Sequence, residues 1–545
     1  MRRTFTALAL VLQAACATAP ARPPPAPAAA PSAAPAGAAP WWNGAVFYEV
    51  FVRSFQDSNG DGKGDLPGLL ERLDYLRCPP APTSCDPARA LGVDALWLMP
   101  VFASPSYHGY DTTDYEQVNP DYGTVADLEK LVAEAHRRGL KVILDLVLNH
   151  TSNRHPWFVD SASSPASAHR DWYVWRPDDP GWSQPWNPAR NTWHQRNGAY
   201  YYGIFQGGMP DLNYRTPAVR EEAKRIARLW LSRGVDGFRL DAIRHLIETG
   251  PGPGQAGNPE THAFLKEFAA AVKAARPDAV LVGEVWSNTF DISDYYGEKG
   301  DELDALFDFP LAEAILDGVR AGSAGRIADT LADVLHTYPP GAVDAPFLTN
   351  HDQIRIATQL QGDAAKLRSA AAILLTLPGA PFVWQGEELG MRNGPNNDDE
   401  WKRTPMPWDG TPGGGFTTAD RPWQRFAPGK ETANVAAETA DAGSLLSRYR
   451  ALIRARHASP ALRVGDLTLV PGTPPDLLAY LRRGGGETVL VAHALGSAPA
   501  DLSGADLPGS TAGPVLVDPG ATAAKEGGAW KVHLPAGASG IWRLR

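Results

Sequence analysis

From residue 41 onward, short apolar runs recur along the chain, separated by longer stretches in which apolar residues return every three or four positions. The short runs predict strands at 45–52, 93–99, 141–148, 235–241, 279–284, 305–309, 346–350 and 380–385. The longer spacing predicts helices over 125–138 and 219–233, ahead of the third and fourth strands. Eight strands interleaved with helices is the count of a (β/α)8 TIM barrel, an α/β fold. Between the third and fourth strands, 150–213 is rich in Trp, Pro and Asn. A structureless loop of that length is uncommon, so a small inserted subdomain over the barrel mouth is expected. After residue 385 a Gly/Pro-rich loop runs to about 428 and a helix is expected at 444–457. Alternating runs with Gly/Pro turns then continue to the end and read as a C-terminal antiparallel β-sandwich. The expected parts are barrel at 41–149 and 214–463, insertion at 150–213 and β domain at 464–545.

The first forty residues do not follow this pattern. Met1-Arg2-Arg3, an apolar run from Phe5 to Leu12 and a small-residue exit at Ala14-Ala15-Cys16 have the make-up of an export signal, too short to span a bilayer. Residues 17–40 are almost entirely Ala and Pro, an extended tether that cannot bury a core. Cys16 resembles the lipid-accepting cysteine of bacterial lipoproteins, although Gln13 stands where that pattern prefers an aliphatic residue. Lipid anchoring to a membrane and plain secretion are both open, and either places the protein in the periplasm or outside the cell. The remaining cysteines, Cys78 and Cys85, suggest one disulfide stapling a surface loop in an oxidising compartment.

A formal charge of -10 without Lys/Arg clusters argues against a nucleic-acid partner. The 17 tryptophans are many for this length, and several, among them Trp172, Trp175, Trp182, Trp186 and Trp193, sit in segments too polar to read as core. Flat aromatic faces stack on sugars, so the composition hints at a carbohydrate ligand.

Candidate chemistry collects at the strand ends, where barrels of this kind carry their active sites. The fourth strand ends Arg239-Leu240-Asp241; residues two apart on a strand share a face, so the guanidinium lies beside the aspartate and favours its ionised form. The third strand ends Asp145 to His150, the fifth Gly283-Glu284-Val285-Trp286 and the seventh Asn350-His351-Asp352. Three carboxylates and two histidines, Asp241, Glu284, Asp352, His150 and His351, therefore converge on one rim.

These residues resemble the α-amylase family, glycoside hydrolase family 13. The resemblance runs from about residue 41 to the end and includes Gly92 to Pro100, Asp145 to His150, Gly237 to His245, Glu284 to Trp286, Phe347 to Asp352 and Gly379 to Glu388. Met209-Pro210-Asp211-Leu212-Asn213 is similar to the group intermediate between the oligo-1,6-glucosidase and neopullulanase subfamilies. The resemblance implies a retaining hydrolase of α-1,4-glucans with Asp241 as nucleophile, Glu284 as general acid/base and Asp352 as transition-state stabiliser. His150, His245, Arg239 and His351 would serve the sugar, and Tyr110 would lie under it as an aromatic platform. Asp111 and Arg403 resemble a pair closing the glycone end in exo-acting relatives. Ala242, next to the nucleophile, stands where relatives with α-1,6 preference carry valine.

Asp57-Ser58-Asn59-Gly60-Asp61-Gly62-Lys63-Gly64-Asp65 sets oxygen ligands at alternate positions around a glycine turn, as calcium loops do, but Gly68 stands where an EF-hand has its bidentate glutamate. The resemblance implies a structural Ca2+ held by Asp57, Asn59, Asp61, the Lys63 carbonyl and Asp65. Whether Asn149 is a ligand of a second ion or a loop-holding residue stays open. A monomer is expected. An exo-acting α-glucosidase or oligo-1,6-glucosidase, and a transglycosylase or trehalose synthase-type isomerase, are the alternative activities, because excluding water from the glycosyl-enzyme lets another sugar accept. A non-enzymatic binding protein on the same fold is weighed against by the intact triad.

Overall fold

Alternate residues of each barrel strand face the barrel interior and the surrounding helices, and this parity decides where everything else goes. The computed structural model describes residues 39–81 and 85–545, so the calls on the leader, the tether and Cys16 lie outside the described residues. The strands are β1 (Phe47–Val50), β2 (Ala95–Leu98), β3 (Lys141–Leu146), β4 (Gly237–Leu240), β5 (Val280–Gly283), β6 (Ala305–Phe307), β7 (Val343–Ala345) and β8 (Phe382–Trp384). They form one eight-stranded parallel sheet in the order β7-β6-β5-β4-β3-β2-β1-β8. Closure between β7 and β8 comes from a parallel bridge of Phe347 with Phe382 and from the Phe382 amide, which donates to the Pro346 carbonyl at 2.8 Å.

Phe47, Trp97, Ile143, Val280, Val282, Phe307 and Phe382 pack together inside the barrel. Tyr48, Leu96, Leu98, Val142, Leu144, Phe238, Leu240 and Leu281 belong to the larger core under the helices. On β4 this parity turns Phe238 and Leu240 outward, so Arg239 points in, and Asp241 follows it at the strand's end. The strand opens with Gly237 at φ +152°, where a Cβ would stand 2.1 Å from the Val280 carbonyl oxygen. Only glycine allows β4 to lie this close to β5.

Val125–Arg137 begins with a capping box between Thr124 and Asp127 and buries Leu128, Leu131, Val132 and Ala135. Pro217–Ser232 starts with proline in its first turn, where the missing amide costs nothing, and sends Trp230 into the core. Both match the expected helices to within two residues at each end, as does Leu445–Ala458.

The seventh strand is a correction. The expected run at 346–350 is loop, and the strand is Val343–Ala345 instead. Pro346 has no amide to give to a ladder, so pairing stops before it and Phe347 keeps one bridge only. The other strands are shorter than their apolar runs by two to four residues, because the run continues into the turns that carry the site.

The insertion leaves the barrel after β3 and is closed at its neck by an antiparallel bridge between His150 and Asp211. It holds a helix (Pro156–Ser163), a three-stranded antiparallel sheet (Trp175–Arg176, Ala199–Tyr202, Trp193–Arg196) and a hairpin (Ser183–Gln184, Asn187–Asn191). Its tryptophans are mostly packing: Trp193 is buried with Tyr202 and Ile204, and Trp172, Trp175 and Trp182 are half-buried against aromatic neighbours. Trp186 alone of the five is exposed.

After the helix at Leu445–Ala458, a five-stranded and a three-stranded antiparallel sheet share a core that includes Leu477, Leu490, Trp530 and Trp542. Buried Arg482 fastens them to the barrel by donating to the Thr376 and Gly465 carbonyls. Cys78 and Cys85 are joined by a disulfide with Cα atoms 5.6 Å apart.

Candidate active site

Inward parity brings Arg239 of β4 beside Asp145 of β3, its register partner. Fully buried, the guanidinium donates through Nη1 to Asp145 Oδ1 and Oδ2 (3.0 and 3.1 Å) and to Asp241 Oδ1 (2.6 Å). Its Nη2 lies 2.9 Å from Glu284 Oε2. One cation thus gathers three carboxyls from three adjacent strands, and each is placed by the same inward parity. Ala242, directly after Asp241, takes the left-handed conformation (φ 48°) and donates its amide to Glu284 Oε2 at 3.0 Å. A non-glycine residue at positive φ is strained, and here the strain aims a backbone donor at a carboxyl.

Glu284 is pushed up to about 7, first by burial and then by the negative charges of Asp241 and Asp352, with Arg239 opposing. Asp145 is likewise pushed up to about 7 by burial against the pull of Arg239. Asp352 goes the other way. Burial would raise it, but the charges of His351 and Arg403 override that and hold it well below the usual carboxylate range.

His351 is the second hub. Its Nδ1 lies 2.5 Å from Glu49 Oε1 on β1; its Nε2 lies 2.5 Å from the Tyr110 hydroxyl and 3.2 Å from Asp352 Oδ2. Burial alone would lower the imidazole, yet Asp352 and Glu49 lift it to about 9, so it is a cation at neutral pH and donates from both nitrogens. The Tyr110 ring stacks on His351 (centroids 5.4 Å apart, planes at 14°), and its hydroxyl donates to Asp145 at 3.1 Å.

The expected residues are therefore assembled, with one exception. Asp111 and Arg403 do not meet: Asp111 accepts from Ser104 and Ser106, whereas Arg403 pairs with Asp352 Oδ1 (2.8 Å) and Asp399 Oδ2 (3.2 Å). The two serines of the 104–111 turn occupy Asp111 Oδ1 locally, and Arg403 is taken up by Asp352 and Asp399. His150 faces the cleft with a buried Nε2 that has no hydrogen-bond partner, and burial lowers its affinity for a proton. Burial also lowers His245, to about 4, and its Nδ1 donates to the Gln255 carbonyl at 2.8 Å. Asn149 Nδ2 lies 3.3 Å from His150 Nδ1, and its side chain also hydrogen-bonds Asp211 across the neck of the insertion.

Glu49, Asp145, Trp97 and Asp399 are site neighbours that the sequence reading did not single out. Glu49 had a signal: it is the one charged residue in the apolar run 47–52, at the inward parity. Of these four neighbours only Asp399 lines the cleft of about 1020 Å³, whose walls also carry Asp241, Glu284, Asp352, Tyr110 and His150.

The α-amylase catalytic-domain model matches residues 49–465. The chain belongs to the α-amylase family. It is 40% identical over 459 residues to Alpha-amylase 3 of Dictyoglomus thermophilum, covering 84% of this chain and 85% of that one. To the oligo-1,6-glucosidase of Halalkalibacterium halodurans it is 34% identical over 522 residues, covering 83% and 90%. The crystal structure of an α-amylase from H. orenii superposes with a TM-score of 0.82 at 38% identity, covering 92% of this chain and 99% of that one. Similarity to an α-amylase as well as to an oligo-1,6-glucosidase fits the intermediate placement, and the chain is a glycoside hydrolase of this family.

In the loop after β1, Asp57 accepts from the amides of Asn59, Gly60 and Gly62 at 3.1, 2.7 and 2.8 Å. Asn59 accepts from Asp61 at 2.9 Å and Asp61 from Lys63 at 2.8 Å. Asp65 caps the following helix through Gly68 at 2.7 Å. Among the described residues no three His, Cys, Asp or Glu side chains stand together as a metal-holding group. The donors gathered in the loop are all hard oxygens, which is the chemistry of a calcium ligand set.

Proposed function

We propose that this family member hydrolyses α-1,4-linked glucans with retention, using Asp241 as nucleophile, Glu284 as general acid/base and Asp352 as stabiliser of the transition state. The observation that carries the reading is the single Arg239 guanidinium holding Asp241 and Glu284 together while Glu284 is pushed up to about 7. Two carboxyls held by one guanidinium fit the close pair of a retaining enzyme, which stands about 5 to 5.5 Å apart.

Asp241 attacks the anomeric carbon as the glycosidic C–O bond breaks, and Glu284 gives its proton to the departing oxygen. A glycosyl ester on Asp241 results. Water then attacks the same carbon, Glu284 takes its proton, and the ester bond breaks to return Asp241 as carboxylate. The ionised Asp352 faces the positive charge that develops on the sugar ring, and the unpartnered His150 Nε2 is free for a sugar hydroxyl. Arg403 and Asp399 also line the cleft, where Arg403 holds Asp352 through the oxygen that His351 does not take and, by the family resemblance, bounds the glycone.

Substituting Asp241→Asn or Glu284→Gln tests the assignment. Both are expected to abolish maltotriose hydrolysis; with an activated aryl α-glucoside, whose leaving group needs no proton, Glu284→Gln still forms the covalent ester and Asp241→Asn does not. Ordinary turnover by Asp241→Asn sinks the nucleophile assignment.

Two further readings rest on the sequence. Asp57, Asn59, Asp61, the Lys63 carbonyl and Asp65 hold a calcium ion that ties the loop and takes no part in bond cleavage. The leader and the disulfide support export, with Cys16 as the site of lipid attachment.

A further inference from the structure

β1 carries one carboxylate into the barrel interior, among apolar and aromatic side chains. Glu49 has the inward parity of Phe47 and is 2% exposed. Its register partners on the two neighbouring strands are Trp97 of β2 and Trp384 of β8. Among the described residues one polar side chain reaches its carboxyl: His351, whose Nδ1 lies 2.5 Å from Oε1. Neither Glu49 nor His351 lines the cleft, whereas Tyr110 and Asp352, the partners of the other imidazole nitrogen, both do. The carboxylate therefore stands one residue behind the wall that receives the sugar.

Folding gives no reason for a charge at this place. The desolvation penalty of a buried pair often exceeds its Coulombic gain, and an apolar residue of similar size would fill the same space. The reason lies in the protons of His351. A neutral imidazole has one N–H for two nitrogens. With that proton on Nδ1, Nε2 is an acceptor: the Tyr110 hydroxyl, 2.5 Å away, has to donate to it and gives up its bond to Asp145, and Asp352 Oδ2 at 3.2 Å faces a lone pair. With the proton on Nε2, the Nδ1 lone pair points at the Glu49 carboxylate. The imidazolium alone satisfies both sides at once.

The charged and titratable groups around this ring come from every element packed against it. They are Glu49 of β1, Tyr110 of the 104–111 turn, Asp145 of β3, Arg239 of β4, Asp352 of the same turn, and Arg403, which donates to the His351 carbonyl at 3.0 Å. Trp97 and Trp384 add uncharged ring edges. Both guanidiniums oppose a further cation, and both are engaged by other carboxyls: Arg239 by Asp145, Asp241 and Glu284, Arg403 by Asp352 and Asp399. Of the carboxyls here Glu49 is the one that no arginine pairs with, so its hydrogen bond goes to His351 undivided.

We propose that Glu49 is a positioning residue for the reaction: from behind the cleft wall it keeps a proton on both nitrogens of His351, which fixes the Tyr110 hydroxyl on Asp145 and the Asp352 carboxylate beside the glucosyl ring. The inference rests on the glucan-hydrolase reading and adds to it an upper pH limit set inside the barrel, separate from that of Glu284.

The test is a pH profile on an aryl α-glucoside with a chloronitrophenyl leaving group. Its departure needs no proton from Glu284, so the alkaline side of kcat/KM reports the His351 side of the site. In the full-length parent that limb is expected at about 9, the value to which Asp352 and Glu49 lift His351. In Glu49→Gln, which keeps size and shape but not charge, the limb moves acidward by about one to three pH units, the effect of removing one adjacent opposite charge. The loss is smallest at about pH 5, where the imidazole is protonated in both proteins. Parallel profiles, or a fall of the same size at every pH, overturn the proposal. A second measurement does not depend on how the variant folds. In the parent with nitrogen-labelled histidine, the His351 ring, identified by its contacts with the Tyr110 and Trp97 rings, is expected to show both N–H signals at neutral pH. Loss of either signal there overturns the proposal. A parent that releases no aryl group from this substrate or from its maltotriosyl counterpart at any pH overturns the glucan-hydrolase reading instead, so the two failures are told apart.

Discussion

Ala242 concentrates the chemistry and the strain of the site in one small side chain. Its left-handed backbone directs the amide at Glu284, and its methyl, nearly buried at 6% exposure, lines the cleft beside that carboxyl. Maltose is therefore expected to be cleaved much faster than isomaltose, and Ala242→Val is expected to narrow that gap by tens-fold, since a methyl or two in a pocket is worth about 1 to 3 kcal/mol. The substitution also lowers stability by about 1 to 3 kcal/mol, because a β-branched residue resists positive φ. kcat/KM on both disaccharides together with a melting curve checks both parts; equal rates on the two sugars in the unsubstituted enzyme show that this position does not set the preference. At this scale much of the site is legible in the chain, because Arg239 and Asp241 declare their shared face by spacing alone. Glu49 is less so: nothing in the run 47–52 says that a histidine three hundred residues later lies 2.5 Å away. The pairing of Asp111 with Ser104 and Ser106 is local, yet a likeness to other chains pointed past it to Arg403.

Among elements, the loop 57–65 joins parts of the chain that no apolar pattern connects. Asp57 accepts from Thr417 Oγ1 and its amide donates to the Phe416 carbonyl at 2.9 Å, while the Trp423 amide donates to the Gly62 carbonyl at 2.8 Å. An ion bound there would hold the long 411–428 loop against the barrel as well as its own turn. Chelation is accordingly expected to lower Tm while leaving the room-temperature turnover of maltotriose within about twofold, because an ion that binds only the folded state stabilises it in proportion to its occupancy. Coincident melting curves with calcium and with chelator, and no metal by elemental analysis, would remove the site. The helices are legible because caps and a 3.6-residue period are local signals. β7 is not, since Val343 and Ala345 make only a short run whereas 346–350 reads as a better one; its placement is decided by pairing with β6 and by the missing amide of Pro346. The same limit applies to the tryptophans of the insertion. Polar neighbours in sequence do not reveal that Trp193 folds inward and Trp186 outward.

Across the whole molecule, the barrel concentrates carboxyls where water is scarce, and this couples function to stability through protons. Besides Glu284, burial pushes Asp308 and Glu438 up to about 7 and Glu387 to about 8, while Asp352 and Asp94 are held low by cationic partners. The sign for Glu284 follows from linkage. Its carboxyl binds a proton more tightly in the folded chain (about 7) than at its usual 4.5, so between those values the folded state carries more protons than the unfolded one. Stability therefore falls as pH rises through that window, by up to about 3 kcal/mol for this one group. Gln cannot ionise, so Glu284→Gln removes that part of the pH dependence. The variant is expected to gain Tm relative to the parent on going from about pH 5 to about pH 8, even though it loses its contact with Arg239 at both. Whether the parent is the more stable at acid pH does not matter; the comparison is of slopes. Parallel Tm-against-pH curves for the two proteins would mean that Glu284 titrates alike in the folded and unfolded chains, and would remove the reason for giving it the proton that the leaving sugar needs.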